Sequence, residues 1–231
     1  MINIFDNYLD TAFGEHKQAD FKIKQFRKNY FRFFPTNKKA KLLDIGPGRG
    51  EMLTCMKNEG YQNVKAIDIS SSIVDFCTNL GYDCELVENT QSYLEQHKNS
   101  YDFISMCDVL EHVPKVDVLD LLFSLRESLT KDGTAIIQVP NMQSADANLY
   151  MYYDFTHEAG YTEHSLFQIL KTCGFSKIDF YGFEYLDNSF KSKVHAFIRS
   201  IYWKKLKIKR KINGNIPHHI FHPVFFATIK K

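Results

Sequence analysis

The sequence predicts an α/β fold in which a mostly parallel sheet lies between two layers of helices. From Leu42 onward, short apolar runs of strand-like composition alternate with stretches of helical spacing. The first run ends in a glycine-rich turn, a connection that is typical of nucleotide-binding sheets. The chain of 231 residues is long enough for one sizeable core, so we expect a single domain over residues 1 to 231.

The first segment, residues 1 to 35, is rich in Phe and Tyr among many charges. One helical face is formed by Phe21, Ile23, Phe26, Tyr30 and Phe33. We expect one or two helices here, either covering the ligand cleft as a lid or simply packed on the sheet. Burial of the apolar face is common to both arrangements.

The predicted core spans residues 41 to 187. Its strands are expected at 41–45, 64–68, 84–87, 101–106, 133–140 and 175–185. Its helices are expected at 50–59, from Ser70 onward, at 90–97, 115–129 and 163–173, whereas 141–161 is polar and aromatic. A ligand should lie beyond the carboxyl ends of the strands.

The turn after the first strand carries glycines at alternate positions, Gly46, Gly48 and Gly50, and Asp44 stands two residues before them. Glycines let a ligand approach the backbone, and the following helix start offers unpaired N–H groups. Asp68 ends the second strand, where a carboxylate can accept hydrogen bonds from ribose hydroxyls. The third glycine comes one residue too early for the dinucleotide pattern G-x-G-x-x-G. The turn therefore predicts a nucleotide-like cofactor of another class.

These residues resemble the first motif and the second-strand acid of class I S-adenosylmethionine-dependent methyltransferases. The resemblance implies a Rossmann-like, seven-stranded sheet with helices on both faces, a last strand antiparallel beside strand six, and S-adenosylmethionine as cofactor. The cofactor-binding residues that we expect are Asp44, Gly46, Gly48, Gly50, Asp68, Ile69, Asn89 and Cys107. Ile69 would pack on the adenine, and Asn89, where many relatives have Asp, would offer its amide to the ring edge.

After strand four, Asp108, Glu111 and His112 resemble the D/E-x-x-E-H stretch of many small-molecule and sugar methyltransferases. In ubiquinone-pathway O-methyltransferases the corresponding residues are associated with a divalent metal, whereas related glycan enzymes keep the stretch without it. If a metal binds, these three residues are its expected ligands. We predict no metal, and expect His112 to shape the methionine end of the cofactor pocket.

After strand five, His157 follows Asp154 by three residues, on a loop expected to face the methyl group. An alcohol acceptor must lose a proton when it is methylated. We predict that His157 removes this proton and that Asp154 orients or charge-stabilises the imidazole, with His112 as the other candidate base. The alternative is a structural histidine that hydrogen-bonds backbone.

A wider set of stretches between residues 41 and 175 resembles the methyltransferases of bacterial O-antigen and capsule biosynthesis. They read G-R-G-E, D-V-L-E-H-V, Q-V-P-N, Y-Y-D-F-T-H and T-E-H-S-L. The resemblance implies that the acceptor is a sugar hydroxyl of a glycan or its nucleotide- or lipid-linked precursor. Two alternatives remain open: a small-molecule O-methyltransferase with a quinone-like acceptor, favoured if a metal is required, and an RNA-associated module that keeps the fold.

Charge divides the chain, because no Asp or Glu follows Asp187 while residues 188 to 231 carry eleven Lys or Arg. We expect a basic helical insertion at 188–222 before a final strand at 223–231. Within 191–211 one helical face is formed by Val194, Phe197, Ile198 and Ile201. A cationic amphipathic helix suits an anionic membrane surface. The simpler interpretation, which we favour from sequence, is that the apolar face packs on the body.

The remaining composition indicates the cellular setting. The five cysteines are scattered and never form C-x-x-C, as expected for reduced thiols in a cytoplasmic protein. No basic leader and no apolar run of about 18 residues occurs. We therefore expect a cytoplasmic protein, at the inner face of the membrane if the basic helix binds lipid. Nucleic acid is not an expected partner, because base-stacking modules and zinc spacings are absent.

Overall fold

The computed structural model describes residues 4–13, 18–185, 189–214 and 219–231. The strands are β1 (Lys41–Ile45), β2 (Asn63–Asp68), β3 (Cys84–Leu86), β4 (Tyr101–Cys107), β5 (Leu129–Pro140), β6 (Lys177–Gly182) and β7 (Val224–Lys230). The helices are α1 (Asp20–Tyr30), α2 (Glu51–Asn58), α3 (Ser71–Asn79), α4 (Thr90–Gln96), α5 (Val118–Ser128), α6 (Ala147–Tyr153), α7 (Glu163–Thr172) and α8 (Phe190–Ile212). Short helical turns lie at Ile4–Asn7, Leu9–Phe13, Phe31–Phe33 and Leu110–His112. Parts of the predicted lid and of the basic insertion lie outside the described residues.

All seven strands form one sheet in the order β3-β2-β1-β4-β5-β7-β6. Strands β1 to β5 pair in parallel, and β7 runs antiparallel between β5 and β6. This confirms the predicted fold. The chain leaves β1 toward β2 on one side and later returns to β4 on the other. The loops after β1 and β4 therefore diverge and open a crevice at the carboxyl edge of the sheet.

Helices cover both faces of the sheet, because its central strands carry continuous apolar runs. On one face Leu43 and Ile104 pack with Leu122 and Leu125 of α5. On the other face the side chains that pack together include Tyr30, Leu42, Met56, Phe103 and Phe226. The rigid strand ends between these two layers position the loops that carry the functional side chains.

The N-terminal segment contacts both the cavity and the core of the sheet. Phe5 and Tyr8 line the large cavity at the carboxyl edge of the sheet, whereas Phe26 and Tyr30 of α1 are buried in the core. Phe21 was predicted on the buried face but is 55% exposed, because α1 buries Gln25, Phe26, Asn29 and Tyr30 instead. Phe5 and Tyr8 therefore line the cavity and α1 packs on the sheet, whereas the lid role stays a prediction.

Three elements differ from prediction. Helix α6 lies in the aromatic stretch, where no helix was predicted. It buries none of its residues, so the sequence shows no apolar periodicity that would predict a helix there. Strand β6 ends at Gly182 and is shorter than the predicted 175–185, although the Phe183 N–H still donates to the Val224 carbonyl at 3.0 Å. The Phe183 ring packs edge-on against Phe26, with ring centroids 6.1 Å apart. The other elements match prediction closely, apart from an earlier start of β5 at Leu129.

Helix α8 runs over 23 residues and buries none of them. Phe197 and Ile201, predicted to pack on the body, are exposed. That interpretation is therefore wrong. The face that contacts the body is built instead from Arg199, whose guanidinium pairs with Glu184, and from Trp203, which packs near His222. Among the described residues, no helix combines the length and apolarity that a membrane span requires.

Candidate active site

A cavity of about 680 Å³ lies at the carboxyl edge of the sheet. Of the eight predicted cofactor-binding residues, those that line it are Asp44, Gly46, Gly48, Asp68, Ile69, Asn89 and Cys107. The proposed catalytic or metal-binding residues that line it are Asp108, Glu111, His112, Asp154 and His157. The volume suits a nucleotide-sized cofactor together with a small acceptor group. The fold thus brings together residues from loops that are far apart in sequence.

The glycine turn is a set of left-handed backbone positions, with φ of 70° at Gly46, 53° at Gly48 and 74° at Gly50. A Cβ on Gly46 would lie 2.3 Å from Cγ2 of Val109, so only glycine fits there. Gly50 does not line the cavity. A Cβ on Gly50 would face Gln18 and Tyr82, and the residue shapes the start of α2.

Asp44 is the residue before the last of β1 and is 2% exposed. Its Oδ1 accepts a hydrogen bond from Ser105 Oγ at 2.6 Å, while Oδ2 has no hydrogen-bond partner among the described residues. Burial raises the pKa of Asp44 to about 7, although the Ser105 hydrogen bond and the Lys22 ammonium lower it. Oδ2 is therefore an acceptor that a bound ligand can satisfy.

Asp68 ends β2, and its Oδ1 accepts a hydrogen bond from the Ser70 backbone N–H at 2.8 Å. Burial raises the pKa of Asp68 to about 6. The neighbouring Ile69 is 41% exposed and lines the cavity, as expected of a side chain that packs on a flat ring. Asn89 caps α4, because its Oδ1 accepts from the Ser92 backbone N–H at 2.9 Å. Its amide group remains for a ligand.

The loop after β4 holds one half-buried and one buried carboxylate, Asp108 and Glu111. Asp108 adopts a φ of 56°, and its Oδ2 accepts a hydrogen bond from Gln138 Nε2 at 2.9 Å. Glu111 is 2% exposed, and neither of its carboxylate oxygens has a hydrogen-bond partner among the described residues. Burial, and then the charge of Asp108, raises the pKa of Glu111 well above its usual range.

His112 belongs to a hydrogen-bonded chain that ends on Asp154. The Thr156 hydroxyl donates to Asp154 Oδ1 at 2.7 Å and lies 2.7 Å from His112 Nδ1. A hydroxyl has one proton, so His112 Nδ1 must be the donor in the second bond. This bond fixes a proton on Nδ1, so a neutral His112 carries its lone pair on Nε2. Burial, and then the nearby His157, lowers the pKa of His112 to about 4, which keeps it neutral.

Tyr8 closes this chain from the N-terminal segment. Its hydroxyl donates to Asp154 Oδ2 at 2.7 Å and lies 3.5 Å from His112 Nε2. Burial opposes ionisation of Asp154, but the hydrogen bonds from Thr156 and Tyr8 outweigh it and lower the Asp154 pKa. An ionised Asp154 can therefore hold the Thr156 hydroxyl in place.

His157 lies beside His112, with ring centroids 4.7 Å apart. Its Nδ1 lies 3.2 Å from the Met151 carbonyl oxygen, and since a carbonyl only accepts, this nitrogen carries the proton. The Asp154 carboxylate was predicted to orient His157. It instead bonds Thr156 and Tyr8 and acts on His112, because the turn of 154–156 folds its oxygens back onto Thr156.

The metal-binding set predicted after β4 also changes. Glu111, His112 and His157 each place one ligand atom within 4.8 Å of the others. Asp108, predicted as the first ligand, lies outside this cluster because its side chain is drawn to Gln138. Among the described residues, the cluster that can hold a cation thus has two imidazoles and one carboxylate.

Three functional side chains escaped the sequence analysis. Tyr8 was one aromatic among many, Thr156 gave no signal except its place between Asp154 and His157, and Lys22 looked like a solvated lysine. Lys22 lines the cavity, and its charge lowers the pKa of both Asp44 and Asp108. No local pattern predicts the contact of Tyr8 with Asp154 or that of Thr156 with His112, because these partners are far apart in sequence.

Residues 16 to 179, more than half of the chain, match the family described as a methyltransferase domain. The chain belongs to this methyltransferase family. The glycine turn, Asp44 and Asp68 of the cavity all fall within the matched part. No curated protein matches the sequence significantly.

Solved structures share the fold. An S-adenosylmethionine-dependent methyltransferase from Archaeoglobus fulgidus has a TM-score of 0.72 at 23% identity, covering 95% of this chain and 98% of that one. A possible histamine N-methyltransferase from Thermotoga maritima has a TM-score of 0.67 at 14% identity, covering 99% and 100%. Phosphoethanolamine N-methyltransferase 2 from Haemonchus contortus, with phosphomonomethylethanolamine and S-adenosylhomocysteine, has a TM-score of 0.64 at 16% identity, covering 100% and 61%. At these identities the likeness shows the fold alone.

The methyltransferase uses S-adenosylmethionine as its methyl donor. The cavity fits this group, because the orphaned Asp44 Oδ2 is buried in its wall and the glycine turn at Gly46 and Gly48 lines it. Asp68 would hold the ribose hydroxyls and Ile69 the adenine face. This assignment predicts which single substitutions weaken cofactor binding.

We expect Asp68→Ala to weaken S-adenosylhomocysteine binding by about 1–3 kcal/mol, because a ribose contact to a carboxylate is lost. Calorimetry measures this directly. Asp68→Asn keeps an oxygen that can accept the Ser70 N–H, so the turn should stay intact. Weaker binding in this variant would therefore come from the lost ribose contact and not from a loosened turn. Asp132→Ala, an exposed carboxylate at the start of β5, is the control. Unchanged affinity in both Asp68 variants, or binding of NAD by the parent, would contradict the assignment.

Proposed function

We propose that this methyltransferase transfers the methyl group to a sugar hydroxyl of a glycan or of its nucleotide- or lipid-linked precursor. The observation that carries the proposal is the geometry of His157, whose Nδ1 proton points to the Met151 carbonyl, so that Nε2 is the nitrogen available to accept a proton. The motifs D-V-L-E-H-V and Y-Y-D-F-T-H, which resemble glycan methyltransferases, supply the two neighbouring histidines.

A hydroxyl acceptor explains why a base is present. When bound, S-adenosylmethionine supplies an electrophilic methyl group on a sulfonium. A sugar hydroxyl is a weak nucleophile near neutral pH, so a positioned base that takes its proton speeds the reaction by about 10²–10⁴-fold. An unprotonated amine acceptor is already a good nucleophile and gains less from such a base. The solved neighbours carry names for varied acceptors, so they do not decide between these classes.

His157 suits the role of base better than His112. A base is most effective when its pKa lies near the working pH, and burial lowers the pKa of His112 to about 4. We assign His112 to the wall of the cavity, where Thr156 and Asp154 fix its orientation. From there it limits the positions that His157 and the acceptor can take.

The mouth of the cavity supports a ring-shaped acceptor. Tyr153 and Phe155 line it while remaining 81% and 94% exposed, and Tyr150 and Tyr185 line it further in. Aromatic walls with a few polar groups are typical of sites that bind small rings. In the proposal these rings pack on the C–H faces of a sugar, and the histidines meet its hydroxyl.

A second candidate function is metal-assisted methylation of a small molecule with a quinone-like acceptor. The cluster of Glu111, His112 and His157 favours it, because two imidazoles and one carboxylate suit a divalent transition metal. We expect that EDTA leaves turnover within a few fold of the untreated enzyme, since His157 acts as a base in our proposal. Loss of turnover with EDTA that Mg²⁺ or Mn²⁺ restores would favour the second candidate.

The acceptor class can be tested with methyl-labelled donor and fractionated cell-envelope extract. The proposal predicts label in carbohydrate, released as an O-methyl sugar on acid hydrolysis. Label that appears only in amines or quinones would overturn it. An RNA-associated module would show RNA binding that weakens with salt and no methyl turnover.

A further inference from the structure

Helix α8 has one face that contacts the body of the protein. Both terminal nitrogens of Arg199 donate to the Glu184 carboxylate, at 3.1 and 2.7 Å. Trp203 packs against Phe221, with ring centroids 6.1 Å apart, and Arg210 donates to the Gln143 carbonyl. The positions 199, 203 and 210 repeat at helical spacing, so the three side chains lie on one side of the helix.

The opposite side of α8 is an apolar stripe. Its members, each between 42% and 83% exposed, are Phe190, Phe197, Ile198, Ile201, Ile208 and Ile212. Each residue turns a helix by about 100°, so Ile201, midway between Arg199 and Trp203 in sequence, points about half a turn away from them. The contacts of Arg199 and Trp203 with the body thus hold the apolar stripe outward.

The stripe is flanked by positive charge. Helix α8 contains seven lysines and two arginines and no acidic residue. Both arginines contact the body, while lysines such as Lys204, Lys205 and Lys209 are exposed beside the stripe. A helix of 23 residues is about 35 Å long. Its outward face is therefore a long apolar stripe with cationic borders.

We propose that the outward face of α8 docks on an anionic phospholipid surface. The apolar side chains enter the boundary between headgroups and acyl chains, and the lysines contact the lipid phosphates. A second copy of this chain fits less well, because two such helices would bring their lysines together. A nucleic acid would match the lysines but leave the apolar stripe in water.

Vesicle flotation tests the docking independently of turnover and of the acceptor. The parent protein should float with vesicles that contain phosphatidylglycerol and remain unbound with phosphatidylcholine alone. The triple variant Lys204→Gln, Lys205→Gln, Lys209→Gln should weaken apparent affinity for the anionic vesicles about 100-fold, because each lysine near such a surface contributes about 1 kcal/mol. The double variant Phe197→Ser, Ile201→Ser should weaken it at least about tenfold while keeping the charge.

The matched control is Lys39→Gln, Lys98→Gln, Lys131→Gln, which removes the same charge from exposed positions on the body. It should float like the parent. Failure of the parent to float, equal flotation with neutral vesicles, or equal loss in the control triple would overturn the proposal. A dimer seen by light scattering would also overturn the proposal, if the double variant Phe197→Ser, Ile201→Ser made it monomeric and the parent did not bind vesicles. A second copy of the chain would then cover the stripe.

Discussion

His157→Ala should lower kcat by about 10²–10⁴-fold while S-adenosylhomocysteine affinity stays within a few fold of the parent. The variant removes the imidazole whose Nε2 takes the acceptor proton, whereas the residues assigned to the adenosyl group, such as Asp68 and Ile69, remain in place. An imidazole base must be deprotonated to act, so parental kcat/KM should fall when the medium is acidified. That limb of the profile should disappear in the variant.

His164→Ala, an exposed histidine on α7 that does not line the cavity, is the control and should keep parental turnover. His157 would not be the base if the His157→Ala enzyme kept normal turnover while the His112→Ala enzyme lost it, provided that both variants still bind the donor. Thr156→Val should then behave like His112→Ala, because it breaks the hydrogen bond that fixes His112. If none of these variants changes kcat, positioning alone explains the catalysis.

Gly46→Ala should be the most damaging single change to the cofactor turn. The new Cβ would lie 2.3 Å from Val109 Cγ2 on a backbone with φ of +70°. The left-handed backbone costs about 1–2 kcal/mol for alanine, and overpacking costs about 1–3 kcal/mol more. We expect a lower free energy of unfolding in urea and at least about tenfold weaker S-adenosylhomocysteine binding, since the backbone must shift where the cofactor approaches.

Gly81→Ala separates the two costs. Gly81 has φ of +79°, yet a Cβ there would meet nothing within 4 Å, so this variant should pay the backbone cost alone and keep cofactor affinity. The double variant Gly46→Ala, Val109→Ala should regain the overpacking part. If Gly46→Ala were no worse than Gly81→Ala in stability and in binding, the close approach at Gly46 would have no functional meaning.

The features that sequence predicted are those encoded locally. Alternate glycines specify left-handed positions within a few residues, and an acid at the end of an apolar strand needs no distant partner to be recognised. The parallel order of the strands follows in the same way from the alternation of strands and helices. Local chemistry therefore predicted the sheet and the cofactor end of the cavity.

The acceptor end was only partly predictable, because its geometry depends on distant contacts. His112 and Thr156 are 44 residues apart, and Tyr8 reaches Asp154 across 146 residues. The sequence therefore showed two histidines and an aspartate but paired Asp154 with the wrong histidine. Helix α8 is similar: its two faces are visible in the sequence, but Glu184 and Phe221 decide which face turns inward.

A crystal structure with S-adenosylhomocysteine and a sugar acceptor would test most directly whether one cavity joins the cofactor turn to the histidine pair. The account predicts ribose hydroxyls on the Asp68 carboxylate, adenine against Ile69, and the cofactor sulfur at the end of the cavity where His157 lies, with the acceptor hydroxyl on His157 Nε2. A cofactor bound elsewhere would contradict it. So would a sulfur that points away from His157, because no base would then stand beside the methyl group.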